Sequence, residues 1–428
     1  MIRMPLGRAH MLASTAIREI RRAGIGAESV TAVGSLRRFS PDVGDVSLLG
    51  VVPPSRQRSV LKAFARLPIV TGLASDTPCS VTVGTGRGDI TLHVTAPEHA
   101  GAALVWHTGS RAHVDELSRR ADRMGMQLTG GKMSRGAECV TAFTEDELYA
   151  QLDLPYIPPE VRSGEGEIGA AERGELPRLL SEADIRGDLH MHSTWSDGRN
   201  TIADMVSASK QIGYEYVAIT DHSERAWSSR KLAAMDVPRQ RDEIEALRGT
   251  VRGIEVLHGI EVDIMHDGSL DFNDDVLEGF DIVLASLHDH GGHDGEWLTE
   301  RYLRAMRNPY VNVITHPAGR APAQSPGYEV DFDRLFAMAV ETGTAMEIDG
   351  APGHLDMDGA VARRAVAAGV TLVVDSDCHR VDALGRQMRF GVGTARRGWI
   401  EPHHVLNTRA VADVRAFIAR KRARAKSR

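Results

Sequence analysis

The second half of the chain repeats one pattern, in which a short run of Val, Ile and Leu ends in a polar cluster and is followed by a helical stretch. Seven such runs can be read: IRGDLHMH, YEYVAITDH, IEVLHGIEVD, DIVLASLHD, VNVITHP, TAMEIDG and TLVVDSDCH. Continuous apolar runs predict strands buried on both faces, which implies a parallel sheet. The segments Ile202–Ile212, Leu298–Met306, Phe332–Val340 and Val361–Ala368 carry apolar residues at spacings of three and four and predict helices lying on that sheet. Strands and helices alternating in this number predict an α/β fold, a TIM-like barrel of about seven units.

Residues 1–155 are patterned differently. Helical spacing runs from about Gly7 to Ala23, strands are predicted at Ser29–Val33, Val43–Pro53 and Ile90–Val94, and a helix at His113–Met126. This describes a small α/β unit of mixed order. Between the halves, residues 156–183 begin YIPPEVRSGEGEIG, where Pro158 and Pro159 stop regular structure and glycines alternate with glutamates. The segment reads as a linker, and residues 184–428 as the barrel. The closing run Arg420–Arg428 reads as a solvated basic helix end.

Composition narrows the function. The formal charge of −7 gives no global attraction to nucleic acid, so any DNA contact needs a local basic patch. Aromatic residues make up 5%, too few for a surface built mainly on base stacking. Three widely spaced cysteines (Cys79, Cys139, Cys378) give no disulfide framework. No apolar stretch approaches the roughly 20 residues of a membrane span, and no signal peptide is legible, so a cytoplasmic protein without a membrane partner is expected. Of the 18 histidines, 13 lie at or beyond His190, which points to metal or phosphate chemistry in that half.

In a parallel barrel the C-terminal ends of the strands converge on one face, where active sites sit. Those ends here present His190 and His192, then His222, Glu261, His288, His316, and finally Asp377 and His379; Asp197 follows the first strand. A lone HxH pair carries no weight, since 18 histidines in 428 residues supply about 0.8 such pairs by chance. Repetition at six of seven strand ends does carry weight. Imidazole mixed with carboxylate suits Mn²⁺, Zn²⁺ or Fe²⁺, and this many donors exceeds what one ion uses, implying two or three ions. Clustered cations favour phosphoryl chemistry. Glu261, with two oxygens to share, is the expected bridge.

These residues resemble the PHP domain of polymerases and histidinol phosphatases. DLHMHS (188–193), SDG (196–198), TDHS (220–223), GIEVD (259–263), SLH (286–288), THP (315–317) and SDCH (376–379) match it in order, and MRFGVGTARRGWIEPHHVLNT resembles the PHP domain fused to bacterial and archaeal family X DNA polymerases. The resemblance implies three metal positions: His190, His192, Glu261 and Asp377; Glu261, His288 and His316; and Asp197, His222 and His379. Glu261, Asp197, His222 and Asp377 would carry the reaction. It further implies a Mn²⁺-dependent 3′–5′ exonuclease acting on DNA 3′ ends. A phosphatase of phosphorylated small molecules, such as a nucleotide or a histidinol-phosphate-like monoester, would share every ligand. Arg320 in HPAGR has two readings, a phosphate contact or packing against an acidic neighbour. His290 and His293 read as loop residues, and Cys378 as a small buried side chain.

The first half resembles the same polymerases. GSLRR (34–38), VGDVSLLG (43–50), ITLHVTAPEHAGAAL (90–104), TGS (108–110) and LPYIPPEVR (154–162) match their nucleotidyl-transfer region, with Ser35 and Arg38 where the family contacts the nucleotide. The carboxylate triad that would hold two Mg²⁺ does not survive. Asp45 is kept, but Ser47 and Thr91 stand at the other positions, with Asp89 two residues away. Hydroxyls do not replace charged ligands for a hard cation. Loss of polymerisation is therefore expected, with an active polymerase as the alternative if Asp89 substitutes. The resemblance begins at the fingers, so the family's N-terminal lyase domain is expected to be missing.

Overall fold

The computed structural model describes residues 3–226 and 228–426, with side chains through 423. The chain divides into two compact units, Met1–Leu176 and Pro177–Arg428. Among the described residues no helix is long and apolar enough to cross a membrane.

In the first unit the opening helix, Leu6–Arg22, buries Leu6, Ala9, Leu12, Ala13, Ala16 and Ile20, an apolar stripe at helical spacing. It packs on a five-stranded sheet ordered Ser29–Ala32, Val46–Val51, Gly88–Thr95, Ser80–Thr85 and Val70–Asp76. The last two strands are absent from the sequence reading. Val70–Asp76 is an edge strand whose residues after Val70 are all exposed, so it carries no alternation to detect. A three-stranded antiparallel sheet (Gln127–Thr129, Lys132–Arg135, Glu138–Val140) and the helix Arg111–Arg123 follow, the helix capped by the Ser110 hydroxyl accepting from the His113 amide.

The segment expected to be a linker is mostly part of this unit. Arg162 is fully buried, donating to the Ile157 carbonyl at 2.8 Å and to Glu145 at 2.7 Å. Glu167, also fully buried, is 2.7 Å from His113 Nδ1 and accepts from the amides of Gly164 and Glu165 at 2.9 Å. Prolines and glycines here shape turns that present charged side chains inward, and the division between units falls after Leu176.

The second unit holds a seven-stranded sheet, parallel at every pairing, in chain order: Gly187–Asp188, Tyr216–Ile219, Glu255–Asp263, Ile282–Ser286, Val311–Ile314, Ala345–Asp349 and Leu372–Asp375. First and last strands meet, nearly closing the barrel. The His192 amide donates to the Cys378 carbonyl at 2.9 Å, and Asn407 spans the seam, donating to the carbonyls of Gly187 (2.9 Å) and Val374 (2.7 Å). The helices Ile202–Ile212, Gly295–Arg307, Phe332–Thr342 and Gly359–Ala367 lie where the apolar spacing predicts them, with further helices at Val237–Thr250, Leu384–Arg397 and Val411–Lys426. Thr201 and Asp204 form a capping box at the first of these, and Gly213 ends it at φ +103°.

The basic C-terminal run is not wholly solvated. Lys421 is buried, donating to the Met306 carbonyl at 2.9 Å and to the Thr344 hydroxyl, and Arg422 donates to the Phe280 carbonyl at 2.7 Å. The side chains of residues 424–428 lie outside the described ones.

Candidate metal centre

The barrel's C-terminal rim draws the donors together because each follows or ends a strand whose other residues are locked in the core. His190, His192, Glu261 and His316 are buried, as are His222 and Asp377; His288, Asp197 and His379 are partly exposed. Glu261 is the hub. Its Oε2 lies 2.7 Å from His222 Nδ1, 3.5 Å from His190 Nε2 and 3.6 Å from His192 Nε2. Its Oε1 lies 3.0 Å from His316 Nε2 and 3.5 Å from His288 Nε2. Asp377 Oδ1 is 3.1 Å from His192 Nε2 and 3.7 Å from His190 Nε2. Asp197 Oδ1 is 3.2 Å from His379 Nε2 and 3.6 Å from His222 Nε2.

The donors fall into overlapping groups: His190, His192 and Glu261; His222, Glu261 and His288; and His192, Asp197, His222 and His379, with donor atoms in each group within 4.8 Å of one another. The implied partition thus shifts: His192 also faces the Asp197 group, and His222 reaches Glu261 as well as Asp197.

The donor chemistry fits divalent cations. The Nε2 atoms of His190 and His192 face each other at 3.2 Å, and lone pairs converging this closely require a proton or a cation between them. Asp197 Oδ1 and Glu261 Oε2 are buried without a hydrogen-bond donor. Burial alone would raise the Glu261 carboxyl, yet the imidazoles of His222, His190 and His288 hold it well below its ordinary range. Asp377 is held down likewise, against burial, by His190 and His379. Burial, with His379 and His222 nearby, drives His192 down to about 3, leaving it neutral as a ligand must be.

A second ring of groups orients the first, and part of it escaped the sequence reading. Glu347 Oε1 is 2.7 Å from His190 Nδ1, and Asp263 Oδ1 is 3.1 Å from His288 Nδ1. Such carboxylate–imidazole pairs fix which ring nitrogen faces the metal. Asp221 accepts from the hydroxyls of Ser193 (2.7 Å) and Ser196 (2.5 Å) and from Gln240 (2.7 Å), tying the first strand's loop to the second strand. His354 stands at the rim, its Nδ1 3.0 Å from Asp349 and 3.8 Å from Asp377. A signal for Glu347 and Asp349 existed in TAMEIDG, where two carboxylates interrupt a buried strand and so need partners.

Other singled-out residues have local partners. Arg320 lies 3.3 Å from Asp358, the acidic-neighbour reading. The buried Cys378 thiol donates to the Arg380 carbonyl at 2.9 Å, and burial pushes it up to about 12. His290 and His293 sit in the loop after Ser286, beside Tyr328 and Trp297 respectively. In the first unit, the Ser47 hydroxyl donates to Asp45 at 2.6 Å, and the strand register sets Ser47 beside Thr91, with Asp89 exposed opposite Gly84. Ser35 lies in the short helix Gly34–Arg37. Arg38 donates to the Thr108 carbonyl, and Arg37 pairs with Glu145 at 2.6 Å, so both arginines brace the fold.

Comparison with known proteins agrees with this geometry. The PHP domain family matches residues 188–322, and the DNA polymerase beta thumb family matches residues 103–163, extending past residue 155 into the expected linker. The chain is 35% identical over 392 residues to the DNA polymerase/3'-5' exonuclease PolX of Bacillus subtilis (strain 168), covering 90% of this chain and 68% of that protein. It belongs to the family X DNA polymerases that carry a PHP domain. The PHP half also resembles stand-alone proteins. A probable phosphatase of Thermoanaerobacter sp. (strain X514) is 29% identical over 247 residues, 55% of this chain and 95% of its own. Another, from Shewanella oneidensis, is 32% identical over 210 residues, 46% of this chain and 78% of its own.

Proposed function

We propose that the PHP domain is a 3′–5′ exonuclease that hydrolyses phosphodiesters at DNA 3′ ends. The observation that carries this is the convergence of five imidazoles on the two oxygens of Glu261, within a rim that Asp197, Asp377 and His379 complete. The polymerase/exonuclease relative supports DNA as substrate.

The nine donors would hold two or three ions, with Mn²⁺ favoured over Zn²⁺ or Fe²⁺. Divalent cations in such a cluster acidify water and neutralise charge on phosphoryl oxygens. The chain's own part is to present those donors rigidly: Glu261 shares its oxygens between groups, Glu347 and Asp263 orient His190 and His288, and Asp221 fixes the loop that carries Asp197. We infer that polymerisation is lost, because Ser47 and Thr91, paired on adjacent strands beside Asp45, supply hydroxyls where two further carboxylates are needed. We infer a cytoplasmic location, a reading supported by the three free cysteines.

The resemblance to probable phosphatases favours a second reading, a phosphomonoesterase of small molecules using the same centre. Release of nucleotides from 3′-labelled single-stranded DNA with Mn²⁺, beside His192→Ala, separates the two. Stepwise release abolished by the substitution supports the exonuclease. No release, with a simple phosphomonoester still hydrolysed, leaves the phosphatase.

A further inference from the structure

The opposite pole of the barrel holds a second concave site. A cavity of about 420 Å³ is lined by Val340, Thr344, Thr371, Phe417 and three basic residues, Arg409, Arg420 and Lys421. This volume falls in the roughly 300–1,000 Å³ range of small-molecule sites. Thr344 and Thr371 immediately precede the strands Ala345–Asp349 and Leu372–Asp375, so the cavity lies at their N-terminal ends, away from the metal centre.

Its charge is one-sided. Three cationic side chains line it and no carboxylate is among the described residues that do. Lys421 is the informative one. It is 3% exposed, and among the described residues its ammonium donates to two neutral oxygens, the Met306 carbonyl and the Thr344 hydroxyl. A buried ammonium without a counter-charge gives up its proton more easily, and an anion bound beside it would favour the charged form. Burial lowers the proton affinity of Lys421. Arg420 is exposed at the mouth, and Arg409 spends one nitrogen on the His403 carbonyl at 3.3 Å. Val340, 46% exposed, and Phe417, on the same helix as Arg420 and Lys421, add apolar lining.

We propose that this cavity binds a phosphorylated ligand the size of a mononucleotide, its phosphate held by Arg409, Arg420 and Lys421 and its apolar part against Val340 and Phe417. Guanidinium–phosphate hydrogen bonds are charge-assisted and can be bidentate, which suits Arg409 and Arg420. The Thr371 hydroxyl adds a neutral donor.

The test is equilibrium dialysis of labelled dAMP against the full, metal-loaded chain, with Arg409→Ala/Arg420→Ala alongside. The double variant should bind one dAMP fewer than wild type, or bind it at least about tenfold more weakly at that site. Its rate of 3′-nucleotide release or phosphomonoester hydrolysis should be unchanged, so failure here is distinct from failure of the exonuclease reading. Unlabelled inorganic phosphate should compete for the lost equivalent, and deoxyadenosine should not. Equal stoichiometry and affinity in both proteins would overturn the site. Competition by deoxyadenosine as strong as by phosphate would overturn the anion assignment, and phosphate binding without dAMP binding would overturn the mononucleotide assignment. As a measurement free of these substitutions, millimolar phosphate should raise the melting temperature of wild type more than that of Lys421→Met.

Discussion

Glu347 binds two partners at once: its Oε1 lies 2.7 Å from His190 Nδ1, and its Oε2 accepts the His316 amide at 2.8 Å. One carboxylate, on a strand that supplies no expected ligand of its own, therefore sets the ring orientation of His190 and the backbone that carries His316. Glu347→Gln keeps the shape and removes the charge. Metal affinity or hydrolytic rate should fall by about 10–100-fold, the usual cost of losing such a partner, with the far-ultraviolet circular dichroism unchanged. Wild-type metal dissociation and turnover in the variant would show that His190 is positioned without Glu347.

Removing metal should destabilise the barrel. Glu261 and Asp377 are buried carboxylates held charged by neighbouring imidazoles, and Glu261 Oε2 has no hydrogen-bond donor. Cations that bind the folded rim and not the unfolded chain add stability by mass action. Chelator should lower the barrel's melting temperature, and added Mn²⁺ should restore it in a concentration-dependent way. The same titration on Glu261→Gln should show a much smaller response. A melting temperature indifferent to chelator in wild type would contradict metal binding at this rim.

The barrel was legible because its signals are redundant: seven buried runs, each closed by a donor or turn, leave little choice of topology. The residues proposed as donors stand out in the sequence for the same reason, each at or near a strand end. What stayed hidden depends on long-range pairing. Glu347 shows its role only when His190, 157 residues away, is folded beside it. The segment 156–176 reads as punctuation because Pro158, Pro159 and its spaced glycines break any period, while its decisive residues, Arg162 and Glu167, are charged and would ordinarily be placed outside. The strands Val70–Asp76 and Ser80–Thr85 were missed for want of an apolar face long enough to show period two.

That segment carries its own prediction. Glu145 is paired to Arg37 at 2.6 Å and to Arg162 at 2.7 Å, and Arg162 is fully buried. Arg37 and Arg162, acting against burial, hold the Glu145 carboxyl below its ordinary range. Removing one member of a buried ion pair leaves an uncompensated charge, at about 3–5 kcal/mol. Glu145→Gln should cost the first unit stability of that order in denaturant unfolding. A loss under about 1 kcal/mol would mean that water reaches Arg162.

Lys421 gives a pH dependence with a definite sign. Burial lowers its ammonium from 10.5 to about 7 in the folded chain. The unfolded chain, with an ordinary lysine, keeps that proton to about 10.5, so between about 7 and 10.5 it binds more protons than the folded one. Stability contributed by this group therefore rises with pH across that window, and below about 7 the full penalty of burying a charge is present. Lys421→Met keeps the stem and discards the charge. Without added phosphate, the variant should be more stable than wild type at pH 6, and the difference should shrink steadily toward pH 10. Denaturant midpoints at several pH values, compared as variant minus wild type, cancel the titration of every other group. A difference that does not change with pH would mean that Lys421 keeps its proton on burial, its ammonium satisfied by the Met306 carbonyl and the Thr344 hydroxyl alone.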